Sequence, residues 1–400
     1  MVKCSVYNAP IFNSFFQGGF ECSTHRRHDG IRLDLIASTK HDTYALHDYI
    51  TLARHGIHTI RDGIRWHLIE QTPRYYDWSS FLPMLKAAQV CGMQVIWDLC
   101  HYGYPDELDI WKPEFVNRFA SFAKALAKLV KSETDTIPFY TTINEISFWS
   151  WAGGDVGYFN PLANNRGFEL KHQLIRASIA AIEAILDIEP RARFVQAEPL
   201  INIINPNDPN CEMAKRACEA QYQAFDMLIG DLWPGAGGHS GLLDIIGVNY
   251  YSHNQTIHNG SLITVDHELY QPFSKLLSQL YLRYKRPILI TETGAESNQR
   301  CDWLSYICDE VSIAMTQGVP IQGICIYPIT NYQGWLDGRN CETGLLGNIN
   351  TQNAKRNIYK PLANLLSMQQ ERFNNMAILS AHANSLSQND SNLKETNWAF

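Results

Sequence analysis

The chain has 400 residues, 45% hydrophobic and 18% charged, an ordinary globular balance with ample material for a core. A net charge of −7 at pH 7 disfavours a nucleic-acid partner, which asks for a basic face, and no apolar run approaches the roughly 20 residues that span a bilayer. The opening residues Met1 to Pro10 hold no apolar segment of signal-peptide length. The ten cysteines are dispersed, without a C-x-x-C pair, and read as reduced core residues. A cytoplasmic location is therefore expected.

Two textures alternate along the chain. Short β-rich runs lie near 14–22, 57–66, 93–100, 137–145, 192–198, 243–251, 287–292 and 321–327. Helical spacing fills the intervals near 42–55, 79–91, 113–131, 168–187, 211–230, 273–284, 301–317 and 359–372. In the third of these, Phe115, Phe119, Phe122, Leu126 and Leu129 share one face, with Lys112, Lys124, Lys128 and Lys131 read as its solvated side. Gly56, Gly92 and Gly318 fall just before the next strand, where helix C-caps are expected.

Strand-then-helix units in that number predict a parallel sheet closed into a single (β/α)8 TIM barrel, an α/β fold. The rival, a doubly wound open sheet, wants a glycine-rich phosphate turn after an early strand, and Gly18-Gly19 alone does not supply it. Residues 1–373 are read as one barrel domain. The polar, serine- and asparagine-rich segment 374–400 has too little apolar content to order itself and is expected to be a mobile tail.

In such a barrel the chemistry sits at the C-terminal ends of the strands. The second strand delivers Arg65, the third His101, the fourth Asn144 and Glu145, and the fifth Glu198. The sixth delivers Asn249, Tyr250 and Tyr251, the seventh Glu292, and the eighth Tyr327 with an aromatic loop running to Trp335. Charged, amide and aromatic groups converging on one mouth suit a polyhydroxylated ligand. Two glutamates ending separate strands suit glycosidic bond cleavage, where one carboxylate attacks the anomeric carbon while the other protonates the leaving oxygen and later deprotonates water. No cofactor is needed for that route, and the histidines lack metal-ligand spacing such as H-E-x-x-H. Asp98 and Glu198 are read as hydrogen-bonded supports, and the run from His25 to His28 as a solvated loop.

Thr142-Ile143-Asn144-Glu145 and Ile290-Thr291-Glu292-Thr293-Gly294 resemble the acid/base and nucleophile signatures of clan A retaining glycoside hydrolases. Ile64-Arg65-Trp66, the run His101 to Pro105, and Ile246 to Tyr251 extend the resemblance to family 1, the β-glucosidase family, over most of residues 14–350. The resemblance implies Glu145 as general acid/base and Glu292 as nucleophile. It further implies that Asn144 bonds the sugar 2-hydroxyl, that Arg65 and Tyr251 hold the nucleophile, that His101 lines the sugar subsite, and that Asn249 belongs to the same site. Trp335 is either packing or a sugar-stacking platform.

Two departures stand out. Gly334 occupies the place of a glutamate expected to grip the far side of the sugar, with Asp337 able to reach back in its stead. The family's glutamine after the first strand is missing, with Glu21 or His25 as substitutes. The expected activity is a retaining β-glycosidase acting on a small glycoside. A transglycosidase using the same carboxylates and a non-catalytic carbohydrate-binding barrel are the alternatives.

Overall fold

The computed structural model describes residues 10–395, with side chains described as far as Leu379. Each predicted apolar run becomes one strand: β1 Phe16–Gly19, β2 Thr59–Gly63, β3 Gln94–Cys100, β4 Phe139–Ile143, β5 Arg193–Pro199, β6 Ile245–Asn249, β7 Ile288–Thr293 and β8 Ile321–Ile326. They pair in sequence order, every pair parallel, and β1 closes on β8. The strands are buried on both faces, which is why they read as continuous apolar runs rather than alternating ones.

The principal helices are α1 His41–Arg54, α2 Leu82–Cys91, α3 Pro113–Glu133, α4 Gly167–Leu186, α5 Glu212–Glu219, α6 Gln223–Ile229, α7 Phe273–Tyr284, α8 Gln299–Thr316 and α9 Lys360–Glu395. Proline in the first turn of α2 and of α3 opens those helices where an N–H is unneeded, and Gly92 closes α2 at φ 60°. The sequence predicts one helix over 211–230, yet the structure breaks it into α5, a 3-10 turn at Ala220–Tyr222, and α6. The break has a local cause. Gln221 turns inward to bond the Ile201 amide (2.8 Å) and the Cys218 carbonyl (2.7 Å), while the Ala220 carbonyl accepts from Lys171 at 3.2 Å. The polar segment from 374 lies on the backbone of α9 as far as Glu395. Among the described residues, no helix is long and apolar enough to cross a membrane.

The bottom of the barrel is plugged by Ile96, Phe139, Val195, Ile245 and Leu289, with Phe12 of the leading segment sealing it from below against Phe139 at 5.2 Å between rings. The helices pack their apolar faces around the outside, Phe115, Phe119, Phe122 and Leu126 of α3 all buried as their spacing predicts. Nine cysteines are described, and all are free thiols; Cys4 lies outside the described residues.

A buried ionic knot ties this scaffold together. His41 bonds Asp48 and Asp62, each at 2.8 Å, and Arg356 of the C-terminal hairpin forks onto Asp48 at 2.7 and 3.0 Å. Burial works against a charged ring, but Asp62 and Asp48 outweigh it and raise the His41 pKa to about 9. The folded pKa lies above the unfolded value of about 6.5, so the stabilisation is complete below that value and is lost as pH rises through about 9. The Tm is accordingly expected to fall between pH 7 and 10. In His41→Gln it should be lower throughout and flatter across that window; a wild-type Tm that stays level from pH 7 to 10 contradicts the assignment.

Candidate active site

The C-terminal mouth of the barrel opens into a cavity of about 1070 Å³ whose lining includes Glu21, His101, Tyr102, Glu145, Tyr251, Glu292, Tyr327 and Trp335. Glu145 and Glu292, at the ends of β4 and β7, both face it.

Arg61 of β2 organises the floor. Its guanidinium forks onto Asp98 at 2.9 and 2.7 Å, reaches Glu292 Oε1 at 2.6 Å, and donates to Asn144 Oδ1 at 2.6 Å. It is 1% exposed, so these charge-assisted bonds are made without competing water. The other oxygen of Glu292 accepts from the Tyr251 hydroxyl at 2.9 Å. The arginine that grips Glu292 is therefore Arg61, and the expectation for Arg65 is corrected. Arg65 lies two residues past the end of β2, at the start of the short helix Trp66–Ile69, and pairs with Asp42 (2.8 Å) and Asp34 (3.2 Å). Counting to the last charged residue of the run overshoots: the strand ends at Gly63, so it is a residue inside the strand that reaches Glu292 beneath the cavity.

Asn144 joins the two carboxylates. With its oxygen committed to Arg61, its Nδ2 donates to the Tyr102 hydroxyl (2.9 Å) and faces His101 Nε2 (3.0 Å), while Tyr102 donates onward to Glu145 Oε2 at 2.7 Å. The run Glu292, Arg61, Asn144, Tyr102, Glu145 is thus one continuous hydrogen-bonded circuit. Surrounding carboxylates, Asp98 first, raise the His101 pKa against its burial. Even so, the Asn144 amide makes Nε2 an acceptor and leaves the ring proton on Nδ1 toward Asp98 (3.1 Å), and this arrangement decides for a neutral ring. Asn249 accepts from Thr291 at 2.7 Å, and its amide nitrogen has no completed bond, its dipole acting on Glu145.

Burial raises the pKa of both glutamates, and each raises the other's further or feels its neighbours' charge. The cation decides between them. Arg61 opposes the rise on Glu292 and favours its ionised form; Glu145 has a neutral donor, Tyr102, and the nearby carboxylate of Glu198, whose like charge favours its protonated form. Glu145 also sits at φ 44°, ψ 60°, a left-handed conformation that a side chain normally avoids.

Trp335 is half-buried at the mouth, edge-to-face with His25 at 4.5 Å and with Tyr102 at 5.9 Å, and it lines the cavity. Of the two candidates after β1, Glu21 faces the cavity, accepting from the Ser23 amide at 3.0 Å, while His25 is packed behind Trp335 against Phe159. Asp337 does not reach back. It bonds the Arg339 amide at 3.1 Å beside Gly334, whereas Glu296, held by two 2.7 Å bonds from Arg339, lines the cavity. Gly19 lets Tyr327 lie flat against β1, since a Cβ there would stand 2.2 Å from its ring.

Cys22, Asp98 and His101 bring metal-ligating atoms within 4.8 Å of one another. Both Asp98 oxygens are already engaged by Arg61, whose charge repels a cation, so the trio serves as a hydrogen-bonded buttress. Sequence reasoning missed Arg61 and Tyr102. The available signals were a charged pair, Arg61-Asp62, inside an apolar strand, and the tyrosine adjoining His101.

No protein-family model matches the chain. Solved β-glycosidases share its fold. The β-glycosidase of Thermosphaera aggregans superposes with a TM-score of 0.73 at 16% identity, covering 91% of this chain and 97% of that one. The β-glucosidase of Thermotoga maritima in complex with glucoimidazole gives 0.71 at 16% identity, covering 90% and 99%. In sequence the chain is similar to the chloroplastic galactolipid galactosyltransferase SFR2 of Arabidopsis thaliana, 21% identical over 320 residues, which are 72% of this chain and 48% of that protein. The chain thus spans about half the length of the curated relative it matches.

Proposed function

We propose that this chain is a retaining β-glycosidase of the family 1 type, working by double displacement. The observation that supports it is the unequal pair of buried glutamates on one cavity: Glu292 gripped by Arg61 and Tyr251, Glu145 bonded to neutral Tyr102. Glu292 attacks the anomeric carbon as a carboxylate. Glu145 delivers its proton to the leaving oxygen, and the glycosyl–Glu292 ester is then cleaved by a water that Glu145 deprotonates. The circuit through Asn144 links the two carboxyls, with its oxygen on Arg61 and its amide hydrogens on Tyr102 and His101, so a sugar hydroxyl engages Asn144 by replacing one of these bonds. His101, Trp335 and Asn249 complete the sugar subsite, with Glu21 and Glu296 as the carboxylates available to its hydroxyls. No cofactor enters this chemistry, and the free described thiols fit a reducing compartment such as the cytoplasm.

The test is a panel of aryl β-glycosides, namely glucoside, galactoside, mannoside, fucoside and xyloside, with the first-formed anomer followed by proton NMR. Turnover of one member with a β product first is expected. An α product overturns retention, and inertness to the whole panel tells against hydrolysis of simple glycosides.

A second reading, transfer of the glycosyl group to an alcohol or lipid, rests on the cavity's other arm. Phe148, Trp151, Phe168, Ile201 and Ile203 line it, with Trp151 and Phe168 55% and 62% exposed at its rim. Such a wall suits an apolar leaving group or acceptor more than water-filled space, and the similar plant protein is named as a galactosyltransferase of galactolipids. Adding a long-chain alcohol to the glycosidase assay separates the two by the ratio of transfer to hydrolysis products.

A further inference from the structure

Glu198, next to last in β5, is 1% exposed, and the reaction above gives it no task. Two consecutive residues of β5 grip the turn that presents Glu145. The Ala197 carbonyl accepts from the Glu145 amide at 3.0 Å, and Glu198 Oε2 accepts from the Ser147 amide at 2.9 Å. Ser147 lies in the first turn of the short helix Ile146–Trp149, where backbone donors have no partner within the helix. Glu198 supplies that partner, directly beside the left-handed backbone of Glu145, a conformation that persists only where surrounding contacts over-determine it.

The charge of Glu198 is poorly compensated. Its second oxygen accepts from neutral Gln196 at 3.0 Å. The cation whose charge acts on it, buried Lys171 of α4, spends its ammonium on the Ala220 carbonyl (3.2 Å) and Gln223 (2.8 Å), and no salt bridge to Glu198 forms among the described residues.

Building on the glycosidase reading of Glu145, we propose that Glu198 is a positioning residue for the general acid: it clamps the turn through the Ser147 amide and, by its negative charge, keeps the proton on Glu145. Burial raises the Glu198 pKa to about 7, with Ser147, Lys171 and Gln196 opposing, and Glu198 in turn raises that of Glu145. The remaining groups facing Glu145 are Tyr102 and His101 from the β3 end, Asn249 and Tyr251 from the β6 end, and Glu292 from β7. Glu198 is the anion among them on the side away from the cavity. Where Glu198 is ionised, its like charge disfavours the ionised form of Glu145.

Carboxyl carbon NMR of the 13C-glutamate-labelled full chain tests this, with Glu145 assigned by its disappearance in Glu145→Gln. In Glu198→Gln, which keeps an oxygen for the Ser147 amide and removes the charge, the Glu145 midpoint is expected to fall by about one pH unit. In Glu198→Asp, which keeps the charge and shortens the reach, the Glu145 midpoint should hold while exchange of the Ser147 amide quickens. A Glu145 midpoint unmoved in Glu198→Gln, or Ser147 exchange unmoved in Glu198→Asp, overturns the proposal. Neither readout needs turnover, so an inert wild type with both responses intact refutes the glycosidase reading and leaves the coupling between the two carboxyls in place.

Discussion

Glu292→Gln is expected to reduce kcat on any substrate found active by roughly 10⁴-fold or more, the scale on which loss of a covalent nucleophile is felt. Its neutral amide still accepts from Tyr251, so sugar affinity should survive. Glu145→Gln should behave differently. Loss of general acid–base help costs about 10²–10⁴-fold, and that loss falls on glycosides with poor leaving groups, because an activated nitrophenolate departs without a proton. For the activated substrate the first step proceeds, the glycosyl ester on Glu292 accumulates, and a small anion such as azide should take the place of the missing base and give the β-azide. The observation behind this division is that Arg61 reaches Glu292 at 2.6 Å, whereas Glu145 is bonded by a neutral hydroxyl, Tyr102, at 2.7 Å. Equal losses in both variants on every leaving group, with no rescue of either, would sink the division of roles. Unchanged activity in Glu292→Gln would sink the mechanism altogether.

Arg61→Met is the second large effect, and it is two-fold. Asp98 and Glu292 would stay buried without their cation, and breaking such a pair by removing one partner costs about 3–5 kcal/mol, to be read from urea unfolding. Arg61 also lowers the Glu292 pKa, so its removal lets burial raise that value further. The acid limb of the kcat/KM profile should move to higher pH, because the nucleophile must be ionised to attack, and turnover at neutral pH should fall by at least about 10²-fold as Glu292 and Asn144 lose their common anchor. Arg61→Lys should recover charge but little activity, since an ammonium cannot fork onto Asp98 while also reaching Glu292 and Asn144. Arg65→Ala is the control: its partners Asp34 and Asp42 lie outside the cavity, so kcat/KM should stay at the wild-type value. A loss in Arg65→Ala matching that in Arg61→Met would contradict the placement.

The second strand shows where linear reading stops. Arg61 and Arg65 are both arginines in one short apolar run, and spacing favours the later one as the strand-end residue. Which of them enters the barrel depends on where pairing with β3 ends, at Gly63 opposite Asp98, and on the turn that follows. Tyr102 was likewise hidden, because its role arises from a positive φ of 68° that swings its hydroxyl between Asn144 and Glu145. The broken helix after β5 has the same origin: its apolar spacing is continuous, but Lys171 and Gln221 draw backbone groups out of the ladder at Ala220.

What the sequence determined by itself was the alternation of strand and helix, and with it the closed parallel barrel, because continuous apolar runs and amphipathic spacing are local properties written in consecutive residues. It also determined that Glu145 and Glu292 end their strands, and in such a barrel every strand end faces the same mouth. The tertiary structure decided the rest: which arginine pairs with Glu292, that Glu21 rather than His25 lines the cavity, that Asp337 turns away while Glu296 turns in, and that Glu198 bonds the turn behind Glu145. Arg61, Glu296 and Glu198 are fixed by partners 37 or more residues away, and Glu21 and Asp337 by the local turn each occupies, neither of which a one-dimensional pattern encodes.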